Sequence, residues 1–160
     1  MVSLINHFYS SFSELNAEGM AQCYHDKIFF KDPAFGELKG ERAKNMWGML
    51  CSRQQGKEFK VNLIKCSATE HAGTATWEAF YTFGKTGKKV HNVIQTEFKF
   101  KEGKIIEHID DFDMYTWSKQ AFGVTGILIG WTSFFQNKVQ KLSNRYLDQF
   151  ENEKRTGNVI

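Results

Sequence analysis

Hydrophobic residues recur every three to four positions in the first fifteen residues of the chain. This spacing places them on one face of an α-helix, because 3.6 residues complete a helical turn. A second, shorter helix is predicted to start after Asn16, whose side chain suits a helix N-terminus, and to run to Tyr24. The same periodicity predicts a third helix over Glu41–Arg53. The face of the first helix consists of Leu4, Ile5, Phe8, Phe12 and Leu15.

From Phe59 onward, hydrophobic residues alternate with polar ones, which is typical of β-strands. A shorter strand, Ile28–Asp32, is predicted between the helices and ends at Pro33, because proline cannot donate to a sheet ladder. The segment Phe35–Gly40 after it is interpreted as a turn-rich link. Short connections containing glycine favour antiparallel hairpins between the later strands. Those strands are predicted over Phe59–Ile64, Thr74–Phe83, Val90–Phe100 and Ile105–Met114.

The C-terminal part begins with a predicted helical turn at Tyr115. Residues 120–137 carry no charge, but their glycine, threonine and amide side chains indicate a buried or interfacial hairpin and not a membrane span. An amphipathic helix is predicted over Ser133–Phe150, with basic residues between its apolar positions. It is expected to pack on the back of the sheet or on a second subunit, with membrane attachment as the alternative.

Composition adds to this picture a bulky, aromatic-rich interior. Aromatic residues make up 15% of the 160 residues, and there is one proline. This favours long uninterrupted elements around an apolar pocket. The net charge of +3 is spread along the chain, so nucleic-acid binding is not indicated. Three widely spaced cysteines and the lack of a visible secretory signal favour a reducing compartment, and the protein is expected to be cytoplasmic.

Two segments resemble known enzymes. The segment Phe29–Gly36 is similar to the corresponding part of ketosteroid isomerases, and Gly103–Asp113 is similar to the last strand of polyketide cyclases and limonene-epoxide hydrolases. Together with the element order, they identify residues Leu4–Trp117 as resembling the nuclear transport factor 2-like superfamily, in particular its SnoaL-like and ketosteroid isomerase-like group. The resemblance implies an α+β fold, in which a cone-shaped, curved antiparallel or mixed sheet wraps around the N-terminal helices. It also implies a homodimer.

On this basis the chain divides into a cone domain, residues 1–117, and an extension, residues 118–160, containing an apolar hairpin and an extra C-terminal helix. Asp32 matches the ketosteroid isomerase carboxylate that moves a proton between carbons. Burial among Phe29, Phe35, Trp47 and Trp77 would raise its pKa towards neutrality. The alternative is that Asp32 only hydrogen-bonds the backbone where its strand ends.

His108 and Asp110 lie two residues apart on one strand, and therefore share a face. The resemblance implies that this face lines the cone, where the two side chains would form a proton-transfer pair. The alternative is a hydrogen-bonded core histidine beside a solvated acidic rim. We expect the pocket wall to be built from Phe35, Trp47, Trp77, Tyr81, Asn92 and Thr96.

Several positions differ from the catalytic residues of ketosteroid isomerases and epoxide hydrolases, and these differences narrow the range of expected reactions. The helix position of the isomerase tyrosine reads Ser10-Ser11-Phe12, and a strand position of its oxyanion hole holds Thr96. The epoxide hydrolase arginine is absent from its matching strand. What remains is acid–base isomerisation, cyclisation or hydration of a small apolar carbonyl compound, without metal or cofactor. The alternative is a non-catalytic binding or dimerisation module that holds a lipid-like ligand.

Overall fold

A computed structural model describes residues 1–157 of the chain. In chain order, its elements are the helices α1 (Val2–Ser13) and α2 (Ala17–Cys23), the strands β1 (Tyr24–Asp32) and β2 (Gly36–Lys39), the helix α3 (Glu41–Gln54), the strands β3 (Phe59–Ala68), β4 (Ala72–Phe83), β5 (Lys88–Lys101) and β6 (Lys104–Asp111), and the helices α4 (Met114–Phe122), α5 (Val124–Ile129) and α6 (Ser133–Thr156).

The six strands form one mixed sheet in the order β2-β1-β6-β5-β4-β3. Strands β1 and β6 are parallel, and every other neighbouring pair is antiparallel. The predicted α+β fold with a curved mixed sheet is therefore confirmed. Residues Gly36–Lys39 were expected to lie in a turn-rich link, which is wrong, because they pair with the end of β1. Four residues are too few to show a period.

The predicted start of β1 at Ile28 is also wrong, because the strand begins at Tyr24. A register shift between Tyr24 and Phe29 breaks the alternation of the strand. The pattern of hydrophobic residues around Tyr24 is therefore not that of a regular strand, and it fits a helix equally well.

The core lies between the concave face of the sheet and helices α1 and α3. Phe8 and Phe12 of α1 are buried, and their rings contact Trp47 of α3 edge to face, with centroids 5.4 and 5.0 Å apart. Phe12 also packs on Trp77 of β4. Edge-to-face aromatic pairs add to the stabilisation that burial provides. This packing holds α1 and α3 against the inner face of the sheet.

Helix α6 packs against α3 and the open end of the cone, and not on the back of the sheet as predicted. Arg42 of α3 forms ion pairs with Asp148 and Glu151 of α6 at 2.8 and 2.5 Å. Asn144 of α6 donates to the backbone oxygen of Phe35. The described helix continues to Thr156, and residues 158–160 of the predicted extension lie outside the described residues. The predicted division after residue 117 stays a prediction.

Most of the uncharged segment between α4 and α6 is exposed, so the prediction that it is buried is wrong, while its alternative as an interfacial segment stays a prediction. Gly126 and Gly130 let α5 lie directly on Ser118 of α4, since a Cβ at either position would overlap that residue. The other side of α5 faces solvent. Within residues 1–157, no helix is long and apolar enough to cross a membrane.

Candidate active site

A cavity of about 470 Å³ lies between the inner face of the sheet, α3 and α6. Its volume falls within the range of small-molecule sites. Seven of the predicted site residues line it, namely Asp32, Phe35, Trp47, Trp77, Tyr81, Asn92 and Asp110. Phe29 does not, because Phe30 takes the inward position next to Asp32 on β1. The cavity therefore has an aromatic wall with two carboxyl groups in it.

Asp32 lies at the end of β1, beside the start of the β1–β2 hairpin. One carboxyl oxygen, Oδ1, accepts the Phe35 backbone N–H at 2.5 Å. Burial is the largest influence on this group and raises its pKa; the Phe35 backbone N–H lowers it, the nearby Asp110 raises it, and the N–H groups of Ala34 and Gly36 lower it, with a resulting pKa of about 7. A carboxyl group with a pKa near neutrality can take up and release a proton under physiological conditions.

Asp110 is held by hydrogen bonds from two side chains. Its Oδ1 atom contacts Nε2 of His108 at 3.0 Å and accepts the hydroxyl of Thr96. Within residues 1–157, Oδ2 has no hydrogen-bond partner, and it is not among the fully enclosed unpartnered atoms. Since Asp110 lines the cavity, we infer that Oδ2 is the atom presented to a ligand.

Behind Asp110, the hydrogen bonds continue into the core through His108. The Nδ1 atom of His108 lies 2.7 Å from the Tyr24 hydroxyl, and that hydroxyl accepts the Trp47 indole N–H at 2.8 Å. One arrangement of protons satisfies every partner: Trp47 donates to Tyr24, Tyr24 to Nδ1, and Nε2–H to Asp110. The imidazole is thus fixed from both sides.

Thr96 anchors the other side of the same network. Its hydroxyl oxygen accepts the Trp77 indole N–H at 2.9 Å and lies 3.0 Å from the Tyr9 hydroxyl. Because the Thr96 proton is donated to Asp110, the Tyr9 hydroxyl must be the donor to Thr96. Burial raises the pKa of Tyr9 and Tyr24 well above the ordinary tyrosine value, which keeps both hydroxyls available as donors.

His108 and Thr96 do not line the cavity, although both were predicted to face a ligand. His108 is fully buried among the rings of Phe8, Phe30, Trp47 and Phe98. Strand alternation places both residues on the inner face, but helix α1 covers that part of the face. In the structure His108 is a buried, hydrogen-bonded core histidine, which was the alternative interpretation.

Sequence reasoning missed Tyr9 and Tyr24 as parts of the network. Tyr9 occupies a helix position next to the apolar face, and Tyr24 was assigned to the wrong element. It also missed the contribution of α6 to the cavity wall, which is made by Val139, Leu142, Ser143 and Tyr146. No local pattern in the sequence reveals the contribution of α6, because it depends on where this helix crosses the open end of the cavity.

Two polar side chains on the inner face can act as donors to a ligand. The Tyr81 hydroxyl accepts the Trp117 indole N–H at 2.8 Å, which leaves its own proton free to point into the cavity. Burial raises the pKa of Tyr81 to about 12, so the hydroxyl keeps that proton. Asn92 lines the cavity from the neighbouring strand, where it pairs with Ala79.

The open end of the cavity carries basic and amide groups. Arg53 lies over the ring of Tyr146, with its guanidinium carbon 4.2 Å from the ring centre, and Lys57 and Lys85 also line this end. The Oε1 atom of Gln54 is buried and has no hydrogen-bond partner within the described residues. A ligand donor can therefore satisfy it. Among residues 1–157, no group of three or more His, Cys, Asp or Glu side chains is arranged to hold a metal ion.

Solved structures show the same fold at low identity. An epoxide hydrolase of the limonene-epoxide hydrolase type from Mycobacterium tuberculosis has a TM-score of 0.61 and 18% identity, covering 79% of this chain and 92% of that one. A ketosteroid isomerase-like protein from Catenulispora acidiphila, solved with trimethylamine, has a TM-score of 0.61 and 11% identity, covering 74% and 91%.

A putative polyketide cyclase from Xanthomonas campestris has a TM-score of 0.59 and 11% identity, covering 75% of this chain and 95% of that one. No match was found among curated proteins. A family model described as the SnoaL-like domain matches residues 5–108, which is well over half of the chain. The sequence match and the shared architecture agree: the chain belongs to the SnoaL-like domain family and has a ketosteroid isomerase-like fold.

Proposed function

We propose that the protein is a cofactor-free enzyme in which Asp32 is the general base for proton transfer on a small apolar carbonyl compound. The observation that carries the proposal is the Asp32 carboxyl group, which lines an aromatic cavity and has a pKa of about 7. Related folds occur in an epoxide hydrolase and a putative polyketide cyclase, so the scaffold suits cofactor-free acid–base chemistry.

In the proposed step, the ionised Asp32 carboxylate removes a proton from the carbon next to the substrate carbonyl. The electron pair of the broken C–H bond moves to the carbonyl oxygen and forms an enolate. The Tyr81 hydroxyl, polarised by the Trp117 N–H, donates a hydrogen bond to this oxygen. The proton on Asp32 then returns to a different carbon in an isomerisation. In a cyclisation, the enolate carbon attacks a second carbonyl, the C=O electron pair moves to its oxygen, and the resulting alkoxide takes up the proton from Asp32.

Asp110 is proposed as the second polar contact for the substrate, through its Oδ2 atom. Its register supports this role: the last paired positions of β1 and β6 are Lys31 and Ile109, so Asp32 and Asp110 come next on adjacent strands, which lie about 5 Å apart. In this proposal His108 and Thr96 are positioning residues. They hold Asp110 in one orientation and do not touch the substrate.

The Phe35 contact favours a second candidate function, a non-catalytic binding module. Asp32 accepts a backbone N–H at the strand end, as a purely structural turn residue would. The aromatic wall would then hold an apolar, lipid-like ligand without changing it. The two candidates differ in one measurable respect, which is whether turnover depends on the Asp32 carboxylate.

The test is to incubate the protein with a panel of enolisable apolar ketones in deuterated water and measure exchange at the carbon next to the carbonyl. Wild type is expected to catalyse exchange that increases with pH through about pH 7. Asp32→Asn is expected to lower the rate by about 10²–10⁴-fold, the usual contribution of a general base. The matched control is Asp111→Asn, which changes an exposed carboxylate on the outer face of β6. Exchange that is the same in all three proteins would contradict the proposal and leave the binding module.

We also propose a homodimer and a cytoplasmic location. Cys23, Cys51 and Cys66 are all free thiols, which suits a reducing compartment. The outer face of the sheet exposes Ile64 and Val93, and these are the apolar positions from which a dimer through that face would be built. Sedimentation velocity of the wild type and of an Ile64→Lys variant tests the dimer.

A further inference from the structure

The exposed apolar surface of the molecule is concentrated in one short stretch. Six of the nine large apolar side chains that are exposed in residues 1–157 fall within residues 124–134. We name them the α5 patch. They are Val124, Ile127, Leu128, Ile129, Trp131 and Phe134. Contiguous apolar exposure of this kind marks an interaction surface, because scattered single residues are the normal case.

The α5 patch is held in a fixed position. Gly126 and Gly130 pack against Ser118 of α4, whose hydroxyl lies 3.3 Å from the Gly126 carbonyl oxygen. The Thr86 hydroxyl donates to the Ala121 backbone oxygen, which ties the β4–β5 hairpin to α4. The apolar side chains are therefore displayed on an ordered support.

The charged side chains that flank the patch along the chain all have one sign. Residues 114–147 contain four basic residues and no acidic residue; the four are Lys119, Lys138, Lys141 and Arg145. Phe134, Lys138, Lys141 and Arg145 follow one another at helical spacing along the exposed side of α6. Lys88 of the β4–β5 hairpin lies next to Gly123, at the start of α5.

We infer that the α5 patch docks the protein on an anionic lipid surface. Apolar and aromatic side chains beside a basic helix face are the combination that binds to such a surface, since the apolar groups enter the headgroup boundary and the lysines meet the lipid phosphates. Trp131, at the turn between α5 and α6, suits the interface because its ring is apolar with one polar edge. The opposite side of α6 forms a wall of the cavity through Val139 and Leu142. Docking would thus place the cavity one helix away from the lipid.

Tryptophan fluorescence gives a direct measurement. Trp131 is 72% exposed, whereas Trp47, Trp77 and Trp117 are buried, so a change in the emission of an exposed indole reports on Trp131. The full chain is titrated with vesicles of phosphatidylcholine alone and of phosphatidylcholine mixed with phosphatidylglycerol. The expected result is a blue shift and co-sedimentation with the mixed vesicles, both weakened by added salt.

The test variant is the double substitution Leu128→Ser and Trp131→Ser, read by co-sedimentation. It is expected to lower the fraction bound to mixed vesicles by about tenfold or more, without a change in melting temperature, because both side chains are exposed. The matched control is Val2→Ser at the start of α1, a large apolar side chain at 42% exposure outside the α5 patch, which is expected to bind as wild type does.

Three outcomes would overturn the inference. They are no binding of wild type to mixed vesicles, equal loss in the test and control variants, and binding to phosphatidylcholine alone that is as strong as binding to the mixed vesicles. Sedimentation velocity without vesicles covers the remaining occupant of the patch. A dimer that the Leu128→Ser and Trp131→Ser variant converts to a monomer, together with no vesicle binding, would make the patch a contact between two copies of the chain.

Discussion

The surroundings of Asp110 and of Asp32 differ, although the two residues are neighbours on parallel strands. Asp110 is held by the side chains of His108 and Thr96, and tyrosine and tryptophan donors complete that network behind it. Asp32 accepts the Phe35 backbone N–H, and the backbone N–H groups of Ala34 and Gly36 also act on it, but within residues 1–157 no side chain donates to it, and it lines the apolar cavity. The first carboxyl group is fixed by side-chain donors, and the second is left with a raised pKa.

Because of this difference, we expect the two carboxyl groups of the cavity to have different roles, Asp110 mainly in stability and Asp32 mainly in proton transfer. A fully bonded polar network in the core is costly to break, because each partner left unpaired keeps the penalty of its lost hydration. A buried carboxylate without side-chain donors destabilises the folded protein when it is ionised. The same burial raises its pKa, so that it can act as a base near neutral pH. We therefore expect substitutions on the Asp110 side to act mainly on folding and substitutions on the Asp32 side to act mainly on proton transfer.

The largest expected effect is that of His108→Phe. The phenyl ring keeps most of the packing against the surrounding aromatic rings, but Tyr24 and Asp110 each lose a hydrogen-bond partner. Asp110 keeps the Thr96 hydroxyl and Tyr24 keeps the Trp47 N–H, but each loses one buried hydrogen bond, at about 1–3 kcal/mol each, so we expect the free energy of unfolding to fall by about 3–5 kcal/mol. Urea denaturation followed by circular dichroism measures it.

His91→Phe is the control for His108→Phe. It makes the same chemical change on the outer face, where His91 is exposed and stacks on Phe80. Its effect is expected to stay within about 0.5–1 kcal/mol, as for most surface substitutions. Similar losses in both variants would show that the buried network contributes no special stability, and the contrast between the two carboxyl groups would then disappear.

A smaller effect, opposite in sign, is expected from Asp32→Asn on stability. The folded protein binds the Asp32 proton more tightly than the unfolded chain does, since the pKa is raised to about 7. The contribution of this group to stability is therefore fully present below the unfolded pKa of about 4 and is lost as the pH rises to about 7. Asparagine has no such proton. The free energy of unfolding of the variant minus that of wild type should therefore rise by roughly 2–4 kcal/mol from about pH 4 to about pH 8.

Urea denaturation at both pH values measures this change, with Asp111→Asn as the control on the exposed face of β6. A difference between Asp32→Asn and wild type that is independent of pH would mean that the Asp32 pKa is not raised. The contrast between Asp32 and Asp110 would then rest on geometry alone.

Sequence reasoning was most successful where a feature depends on local alternation. Strand parity correctly put Trp77 and Tyr81 on one face of their strand and His108 and Asp110 on one face of theirs, because the side-chain period of a strand is fixed by its backbone, whereas Asp32 was chosen from the family resemblance. The short strand β2 and the start of β1 at Tyr24 were missed. Both depend on pairing with a neighbouring strand, and β1 contains a register shift that no single-strand pattern reveals.

It was harder to predict which side chains of the inner face reach the cavity and which are covered by a helix. His108 and Asp110 have the same parity, but α1 covers His108 and leaves Asp110 at the cavity. That distinction depends on the packing of helices across the sheet, and so do the contributions of Tyr9 and of α6. The family resemblance predicted the curved sheet around the N-terminal helices. It could not predict the position of α6, because the family match ends at residue 108.

The smallest expected effect is that of Tyr81→Phe on catalysis. Removing the hydroxyl takes away one hydrogen-bond donor to the proposed enolate, and the Trp117 indole loses its acceptor. We expect kcat for ketone exchange to fall by about 10–100-fold, somewhat less than for a donor in a dedicated oxyanion hole, with KM nearly unchanged. Trp117→Phe is the companion variant. It keeps the Tyr81 hydroxyl but removes its polarising N–H, so a smaller loss is expected. If Trp117→Phe instead lowered kcat as much as Tyr81→Phe does, the Tyr81 hydroxyl would act through packing, and the donor to the enolate would have to be sought at the Asn92 side-chain amide.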